Sequence, residues 1–549
     1  MSDDFLTKAP FHLDAPALAW VRGTLASMSD DEKIGQVFVF ASMGFEPGET
    51  DRLAALKPAG VTRFFTPVAD REIALMDRFR ADARIPLLIS ADLEGSRMSL
   101  AFGTEVPNPL ALAAVDDVQA SHKIATLMAT EALAMGINWS FTPVLDINAA
   151  FRSPIVATRG FGSDVDRIER QALAQIHAFQ SAGLAATVKH WPGEGHDDRD
   201  QHLLTTINPL TMDDWEASHG RLYRAAIKAG VMSVMSAHIA LPAYMKAQGV
   251  TGVECYRPAS INRALNIDLL RGQLGFNGLI VSDATPMAGL GAWADYAETL
   301  PQVIENGCDI ILFAPDPEFA VATVRAAVAD GRISPARLTQ ALTRVLGLKA
   351  ALGLHLGTHP AHVIASDDRR ATARAVTARV PVLEKDVQGL FPLSPTKHRR
   401  VLVASGGIVS PIHGTTPFAL PDMLRAEGFE VTVYTGEGSM PAPIDFDLML
   451  YLFGEETLLT RGRIFLDWAK ISGNFHNAMA RHWHKVPTAM VSFGYPYYLY
   501  DAPRMPCYIN AFATTDSMQA AVVDCMLGRA PWNTTSPVDA FCGLEDARY

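Results

Sequence analysis

Five ionisable side chains directly follow short apolar runs that resemble β-strands. They are Asp92 after PLLISA, Asp146 after FTPVL, His190 after LAATVK, His238 after VMSVMSA and Asp283 after GLIVS. In barrel enzymes built from parallel strands, catalytic side chains lie at the carboxyl ends of the strands. One such residue alone would be an ordinary loop residue or helix cap. Five together predict a common site at one rim of a barrel.

The densest group of polar residues is KHWPGEGHDDRDQH, at residues 189–202. Its Asp200-x-His202 spacing lets a carboxylate orient an imidazole and raise its proton affinity, which suits a general acid/base at neutral pH. The alternative is a metal site with His196, Asp200 and His202 as ligands, but the spacing matches no zinc signature. We therefore expect acid–base chemistry, with no metal and no cofactor.

The elements that position these residues repeat one pattern between residue 33 and about residue 315. Each unit is a short β-branched apolar run, a polar loop and a helical stretch. The predicted strands are IGQVFVFA (34–41), VTRFFTP (61–67), PLLISAD (86–92), INWSFTPVLD (137–146), LAATVKH (184–190), VMSVMSAH (231–238), GLIVSDA (278–284) and CDIILFAP (308–315). Eight such units favour an α/β fold with an N-terminal (β/α)8 TIM-like barrel, and the GxGxxG fingerprint of an open dinucleotide-binding sheet is absent.

Three helical patterns between these strands end in a glycine suited to the left-handed cap position: SHKIATLMATEALAMG, DRIERQALAQIHAFQSAG and WEASHGRLYRAAIKAG. The pattern changes after residue 365, where a stretch punctuated by Pro and Lys precedes further strands such as RVLVASGG and FDLMLYLFGE. These strands again alternate with helices and predict a smaller αβα sandwich. The expected domains are a barrel at 1–365, a linker at 366–394 and a second domain at 395–549.

Length and charge exclude several classes of protein. A chain of 549 residues is too long for one hydrophobic core. Its net charge of −12 and its lack of a basic stripe argue against a nucleic-acid partner. No apolar run approaches the roughly 20 residues that span a bilayer. The start lacks a secretory pattern and the five cysteines are scattered, so we expect a cytoplasmic protein with no membrane partner.

Several segments, in this order and register, resemble glycoside hydrolase family 3, and within it the β-N-acetylglucosaminidases of the NagZ type. Residues 189–202 follow the family motif KH(F/I)PGxGxxxxD(S/T)H with identical spacing. The other segments are ISADLEGSRM (89–98), INWSFTPVLDIN (137–148), RGFGSD (159–164), RPASINRALNIDLLRGQLGFNGLIVSDATPM (257–287) and PTAMVSFGYPYYL (487–499). Together they cover most of the chain.

The resemblance implies roles for particular residues. Asp283 would be the catalytic nucleophile, His202 the general acid/base and Asp200 its dyad partner. The residues implied to bind the sugar hydroxyls are Asp92, Arg159, Lys189 and His190. The reaction would be retaining hydrolysis of a terminal β-linked sugar, most simply N-acetylglucosamine from cell-wall muropeptides or chito-oligosaccharides. The expected partner is thus a small carbohydrate, and the oligomeric state stays unspecified.

Departures from the family pattern bear on the sugar. Glu194 stands where the family usually has His or Leu, Gln201 where it has Ser or Thr, Ser96 where it has Gly and Leu100 where it has Arg. Because hydrogen-bonding sites discriminate strongly between sugars, a β-glucosidase or xylosidase specificity is an alternative.

Three further hypotheses stay open. Phosphate could replace water, which would make the protein a phosphorylase. Glu455 or Glu456 could supply the acid in place of His202. A catalytically silent sugar-binding protein is the remaining possibility, against which the joint presence of Asp200, His202 and Asp283 argues.

Overall fold

Eight parallel strands close into a barrel in the N-terminal part of the chain. The computed structural model describes residues 4–81, 83–357, 364–410 and 414–549. The first ten strands of these residues are β1 (Phe38–Ser42), β2 (Gly60–Arg63), β3 (Leu88–Ala91), β4 (Trp139–Ser140), β5 (Ala185–Trp191), β6 (Thr206–Ile207), β7 (Ser233–Ser236), β8 (Ile239–Ala240), β9 (Leu279–Ala284) and β10 (Ile310–Leu312). The order around the barrel is β1-β10-β9-β7-β5-β4-β3-β2, and the short β6 and β8 pair separately. All eight predicted barrel strands are confirmed.

The barrel strands are near-continuous apolar runs because helices cover the outer face and side chains fill the interior. All seven residues of β5 are buried. Two runs form less strand than predicted. Only Trp139–Ser140 of INWSFTPVLD is strand, and the nearby Pro143 has no N–H to donate to a ladder. The first run starts as the end of a helix, Asp30–Gly35.

Helices come before, between and after the barrel strands along the chain. They are α1 (Ala15–Ser27), α2 (Asp30–Gly35), α3 (Pro47–Ala55), α4 (Ala69–Ala81), α5 (Pro109–Val115), α6 (Val118–Ala134), α7 (Val165–Ala182), α8 (Met212–Trp215), α9 (Arg221–Lys228), α10 (Pro242–Ala247), α11 (Ala288–Gly291), α12 (Tyr296–Glu305), α13 (Pro317–Ala329) and α14 (Pro335–Ala351), with π-helical segments at Glu216–Gly220 and Ala264–Gln273. The three predicted glycine caps are confirmed, since Gly136, Gly183 and Gly230 have φ of +80°, +95° and +78°. Among the described residues, no helix combines the length and the apolar character needed to cross a membrane.

A second, mixed sheet forms the C-terminal part. Its strands are β11 (Val382–Asp386), β12 (Arg400–Ser410), β13 (Gly414–Thr416), β14 (Glu430–Tyr434), β15 (Leu448–Gly454), β16 (Thr488–Ser492) and β17 (Cys507–Asn510). The order is β11-β17-β16-β15-β12-β13, and β14 also pairs with β12. Its helices are α15 (Asp367–Thr377), α16 (Leu420–Ala426), α17 (Trp468–Ser472), α18 (Phe475–Ala478) and α19 (Asp516–Met526).

The segment predicted as a linker, 366–394, needs correction. It contains helix α15 and strand β11, and β11 pairs antiparallel with β17 at the edge of the second sheet. The stretch looked like a linker because its Pro and Lys residues interrupt the apolar pattern, as is common for an edge strand. The exact domain limits stay a prediction.

The two parts of the chain share a packed apolar interface. The hydrophobic core around the second sheet includes Leu110, Ala111, Ala114 and Ala157, which belong to the barrel part. These four residues lie in α5 and in the long loops that follow β3 and β4. The second domain therefore packs against loops at the carboxyl end of the barrel, where the predicted site lies.

Candidate active site

The Asp200–His202 pair lies in the long loop after β5. The Oδ1 atom of Asp200 accepts hydrogen bonds from both the backbone N–H (2.8 Å) and the ring Nδ1–H (2.7 Å) of His202. Asp200 is 1 % exposed, whereas the side chain of His202 is 22 % exposed. Burial by itself would raise the pKa of the Asp200 carboxyl, but its bonds to His202 outweigh burial and lower the pKa. The pair is thus an ionised buried carboxylate that orients an accessible imidazole.

Neighbouring residues fix the loop that carries this pair. The amide of Gln201 donates to Glu194 Oε2 at 3.1 Å and accepts from the backbone N–H of His238 at 3.1 Å. The backbone N–H groups of Ala288 and Gly289 donate to the carbonyl oxygens of His202 and Gln201. Residues from three strand-following loops therefore hold the dyad in place.

Asp283 lies at the carboxyl end of β9 and is 8 % exposed. Its Oδ1 atom accepts a hydrogen bond from the backbone N–H of Ala284 at 2.7 Å. Burial would raise the pKa of this carboxyl, but the imidazoles of His190, His238 and His202 outweigh burial and hold the pKa below its ordinary value. Asp283 is therefore an anion at neutral pH, and His202 is close enough to act on it electrostatically.

A buried network of charges connects the carboxyl ends of β3, β4 and β5. The Nζ atom of Lys189 donates to Asp92 at 2.7 Å and contacts Glu94 at 2.8 Å. Arg159 donates two hydrogen bonds of 2.9 Å to the same Glu94. Asp92 keeps 23 % of its side chain exposed, while Lys189 and Glu94 are each 2 % exposed. Asp92 is thus the most accessible of these three groups to a ligand.

The pKa values in this network follow from the pairing. Burial would raise the pKa of the Glu94 carboxyl, but Arg159 and Lys189 lower it well below its ordinary range. Burial would lower the pKa of Lys189, but Asp92 and Glu94 outweigh it and raise that pKa. Glu94 and Lys189 therefore carry their charges at neutral pH.

His190 is oriented from behind by Asp146. Its Nδ1–H donates to Asp146 Oδ2 at 2.5 Å, and its Nε2 atom lies 3.4 Å from Arg159 Nη2. Because arginine can only donate, Nε2 accepts, which places the ring proton on Nδ1. His238 donates from Nε2 to the Ala284 carbonyl at 3.0 Å and faces the Ser260 hydroxyl through Nδ1. Burial lowers the pKa of His238, although the nearby Asp283 carboxylate opposes this shift.

Glu194 is a buried carboxyl with a raised pKa. Burial raises its pKa well above the ordinary value, and the nearby Asp146, Asp283 and Asp200 carboxylates add to this rise. Two other departures from the family pattern lie outside the dyad. The Ser96 hydroxyl donates to Glu456, and Leu100 is part of the barrel core.

The described residues contain one group of side chains that could hold a metal ion, namely Asp146, His190 and Glu194. The 2.5 Å bond between His190 Nδ1–H and Asp146 already occupies two of these ligand atoms. This donor set therefore fits a hydrogen-bond network better than a metal centre.

The alternative acids Glu455 and Glu456 are engaged elsewhere. Glu456 Oε1 accepts from the Ser96 hydroxyl and from both the N–H and the hydroxyl of Thr514. Glu455 accepts from the Tyr498 hydroxyl at 2.6 Å within the second domain. Neither carboxyl is bonded to the dyad or to Asp283 in the described structure.

The structure thus brings the four predicted sugar-binding residues together and places His202 near Asp283. The sequence analysis placed Asp146 and His238 at the predicted rim without a particular role and did not single out Glu94. The available signals were the Asp92-x-Glu94 alternation after β3 and the strand-end positions of Asp146 and His238. A buried anion, an imidazole with a carboxylate partner and a charged cluster can together carry out a two-step displacement at a polar substrate.

Comparison with known proteins gives relatives along the whole chain. Residues 24–348 match the family described as glycosyl hydrolase family 3 N terminal domain. A beta-N-acetylglucosaminidase/beta-glucosidase from Cellulomonas fimi is 41% identical over 564 residues, covering 98% of this chain and 99% of that protein. A beta-hexosaminidase from Vibrio cholerae serotype O1 is 32% identical over 286 residues, covering 51% of this chain and 82% of that protein.

Solved structures cover both domains. The structure of beta-glucoside phosphorylase BglX superposes with a TM-score of 0.92 at 32% identity, covering 100% of both chains. A beta-N-acetylglucosaminidase from Paenibacillus sp. str. FPU-7 has a TM-score of 0.81 at 24% identity, covering 94% of this chain and 100% of that chain. The second of these shows a shared fold.

Proposed function

Because the chain belongs to glycoside hydrolase family 3, we propose that it is a retaining exo-β-glycosidase that removes a terminal β-linked N-acetylglucosamine. The observation that carries this proposal is the ionised, buried Asp283 with the Asp200-oriented imidazole of His202 nearby. A retaining mechanism needs an anion beside the anomeric carbon and a separate group that first donates and later accepts a proton.

In the proposed first step, Asp283 attacks the anomeric carbon while His202 protonates the departing glycosidic oxygen. Because Nδ1–H of His202 is bonded to Asp200, Nε2 is the atom that transfers the proton. In the second step, Nε2 takes a proton from water, the water oxygen attacks the anomeric carbon, and the carboxylate of Asp283 leaves. His202 is thus an imidazolium before the first step, neutral in the glycosyl-enzyme and an imidazolium again after the second step, and Asp200 stabilises its protonated form.

The sugar would be held by Asp92, Arg159, Lys189 and His190. Asp92 is the accessible carboxylate among them and would accept hydrogen bonds from sugar hydroxyls. Glu94 and Asp146 would act indirectly, by orienting Arg159, Lys189 and His190. Oriented donors and acceptors of this kind bind hydroxyl groups with high selectivity.

N-acetylglucosamine is our first choice of sugar because the Cellulomonas fimi relative is named for it, and glucose is second for the same reason. The natural substrate would be a small cell-wall fragment or chito-oligosaccharide met in the cytoplasm. The discriminating experiment compares kcat/KM for nitrophenyl N-acetylglucosaminide, glucoside, xyloside and galactoside. A preference for the xyloside or galactoside would overturn the choice of sugar while leaving the mechanism intact.

Phosphorolysis is a second candidate, favoured by the imidazole base and by the phosphorylase BglX among the structural relatives. A phosphate anion approaches an imidazole base more easily than it would approach a carboxylate base, because the negative charges of phosphate and carboxylate repel each other. Phosphate would then replace water in the second step, and the product would be a sugar 1-phosphate. A time course with and without phosphate separates the two reactions by their products.

The nucleophile is tested by covalent labelling. A 2-deoxy-2-fluoro or 5-fluoro glycoside should leave its sugar on Asp283, identified by peptide mass spectrometry. Asp283→Asn should fold normally but lose turnover, because the carboxylate forms the intermediate. A label found on any other residue would overturn the assignment.

A further inference from the structure

One segment of the second domain forms main-chain hydrogen bonds to the barrel domain at three alternate residues, 456, 458 and 460. The carbonyl of Glu456 accepts from the Thr158 hydroxyl at 3.3 Å, and the N–H of Leu458 donates to the Pro154 carbonyl at 3.1 Å. The N–H of Thr460 donates to Asp200 Oδ2 at 2.8 Å. The third contact therefore ends on the carboxylate that orients His202, 260 residues earlier in the chain.

The backbone at Thr460 has an unusual conformation. Its φ is +65°, in the left-handed region that β-branched residues rarely adopt. Such a conformation persists only where surrounding contacts hold it, and it often marks a functional site. Here the carboxylate of Glu456 anchors the segment through bonds to Ser96 and Thr514, four residues before the strained position.

We propose that the main-chain N–H of Thr460 is a positioning group for proton transfer, through which the second domain holds Asp200 and thereby His202. This inference rests on the proposed function, in which His202 is the acid/base. It gives the second domain a part in the chemistry through a main-chain group.

The donors around Asp200 explain why this single contact matters. His202 supplies both donors to Oδ1, and Thr460 supplies the donor that Oδ2 receives in the described structure. A buried carboxylate oxygen without a donor is unfavourable, so loss of the Thr460 N–H would turn the carboxylate. A turned carboxylate no longer presents Oδ1 to Nδ1–H of His202 with its present geometry.

The test replaces the amide N–H at residue 460 with an ester oxygen in the full-length protein, using the α-hydroxy analogue of threonine. The ester keeps the side chain and removes the donor, and its oxygen lone pair faces Oδ2. We expect kcat for a natural β-linked disaccharide to fall about 10-fold. A dinitrophenyl glycoside needs little protonation on leaving and should change less than about 2-fold.

The matched control is the same ester change at Leu458, which removes another interdomain hydrogen bond in this segment but leaves Asp200 untouched. This control should change the rates for the disaccharide and the dinitrophenyl glycoside by the same factor. A low-field proton resonance from Nδ1–H of His202 should shift in the 460 ester and stay in place in the 458 ester. Thr460→Gly keeps the main-chain N–H and relieves the strain. It should therefore retain the wild-type ratio of the disaccharide rate to the dinitrophenyl glycoside rate.

The proposal is overturned if the 460 ester leaves both rates unchanged, or if it lowers them equally without shifting the resonance. His202→Ala, measured with the same two substrates, separates this outcome from failure of the proposed function. If His202→Ala shows the leaving-group dependence and the 460 ester does not, only the positioning role fails. If neither shows it, His202 is not the acid.

Discussion

Asp200→Asn changes the buried end of the dyad without altering its size. Each oxygen of the native carboxylate receives N–H donors: two from His202 on Oδ1 and one from Thr460 on Oδ2. An asparagine amide has only one acceptor oxygen, so its NH2 group must face a donor whichever way it turns. The substitution therefore breaks at least one hydrogen bond and removes the charge that stabilises a protonated His202.

The expected size of the effect follows from these contacts. A hydrogen bond to a charged group contributes about 1.5–3 kcal/mol, and each 1.36 kcal/mol in a barrier is a factor of ten. Losing one such bond in the transition state predicts a fall of about 10- to 150-fold. The fall cannot exceed the whole contribution of general acid–base catalysis, which is roughly 10²–10⁴-fold.

The assay is kcat/KM for a series of aryl glycosides whose leaving groups differ in pKa, together with a natural disaccharide. The loss should increase as the leaving group becomes more basic, because only poor leaving groups need the proton from His202. Asp198→Asn is the matched control, since Asp198 is an exposed carboxylate in the same loop. An equal loss for every leaving group would refute the reasoning and make Asp200 a purely structural residue.

Three more predictions follow from individual groups. His202→Ala should slow the hydrolysis of disaccharides about 10²–10⁴-fold more than that of dinitrophenyl glycosides. Added azide should restore deglycosylation of the variant and yield a β-glycosyl azide. If azide does not restore it, His202 is a binding residue. Glu194→Gln should keep activity within about 3-fold at pH 7, because the raised pKa favours the protonated form that glutamine resembles, and it should lose less activity than the wild type as pH rises; inactivity at pH 7 would mean that Glu194 works as an anion. Burial raises the pKa of Glu384 to about 7, so this carboxyl favours folding below its unfolded pKa of about 4.5 and that contribution is lost as pH rises through 7. Glu384→Gln should therefore raise the free energy of unfolding by roughly 1–2 kcal/mol at pH 8 and leave it unchanged at pH 4.5. Chemical denaturation of both proteins at the two pH values checks this, and a variant midpoint equal to the wild-type midpoint at pH 8 as well as at pH 4.5 would contradict it.

The sequence by itself determined the elements whose signals are local. The barrel strands were readable because buried parallel strands need continuous apolar runs, and the helix ends at Gly136, Gly183 and Gly230 because a left-handed cap favours glycine. The contact between Asp200 and His202 was equally readable, since residues two apart in a turn meet without any help from the rest of the chain. Asp92 and Asp283 were found because strand ends in a barrel converge on one rim.

Only the tertiary structure decided which distant groups support them. Glu94 contacts Arg159 across 65 residues of chain, Asp146 contacts His190 across 44, and Thr460 reaches Asp200 across 260. Such pairings depend on how loops from different strands pack, and short-range periodicity does not encode that. The same holds for Glu456, an alternative acid in the sequence analysis whose carboxylate accepts a hydrogen bond from Ser96 of the barrel domain, and for β11, whose partner strand β17 lies more than a hundred residues later. Residue types and spacing thus predict the reacting groups, whereas the buried donors and charges that orient them are set by the packing of loops from different barrel strands and, at Asp200, by the packing of one domain against the other.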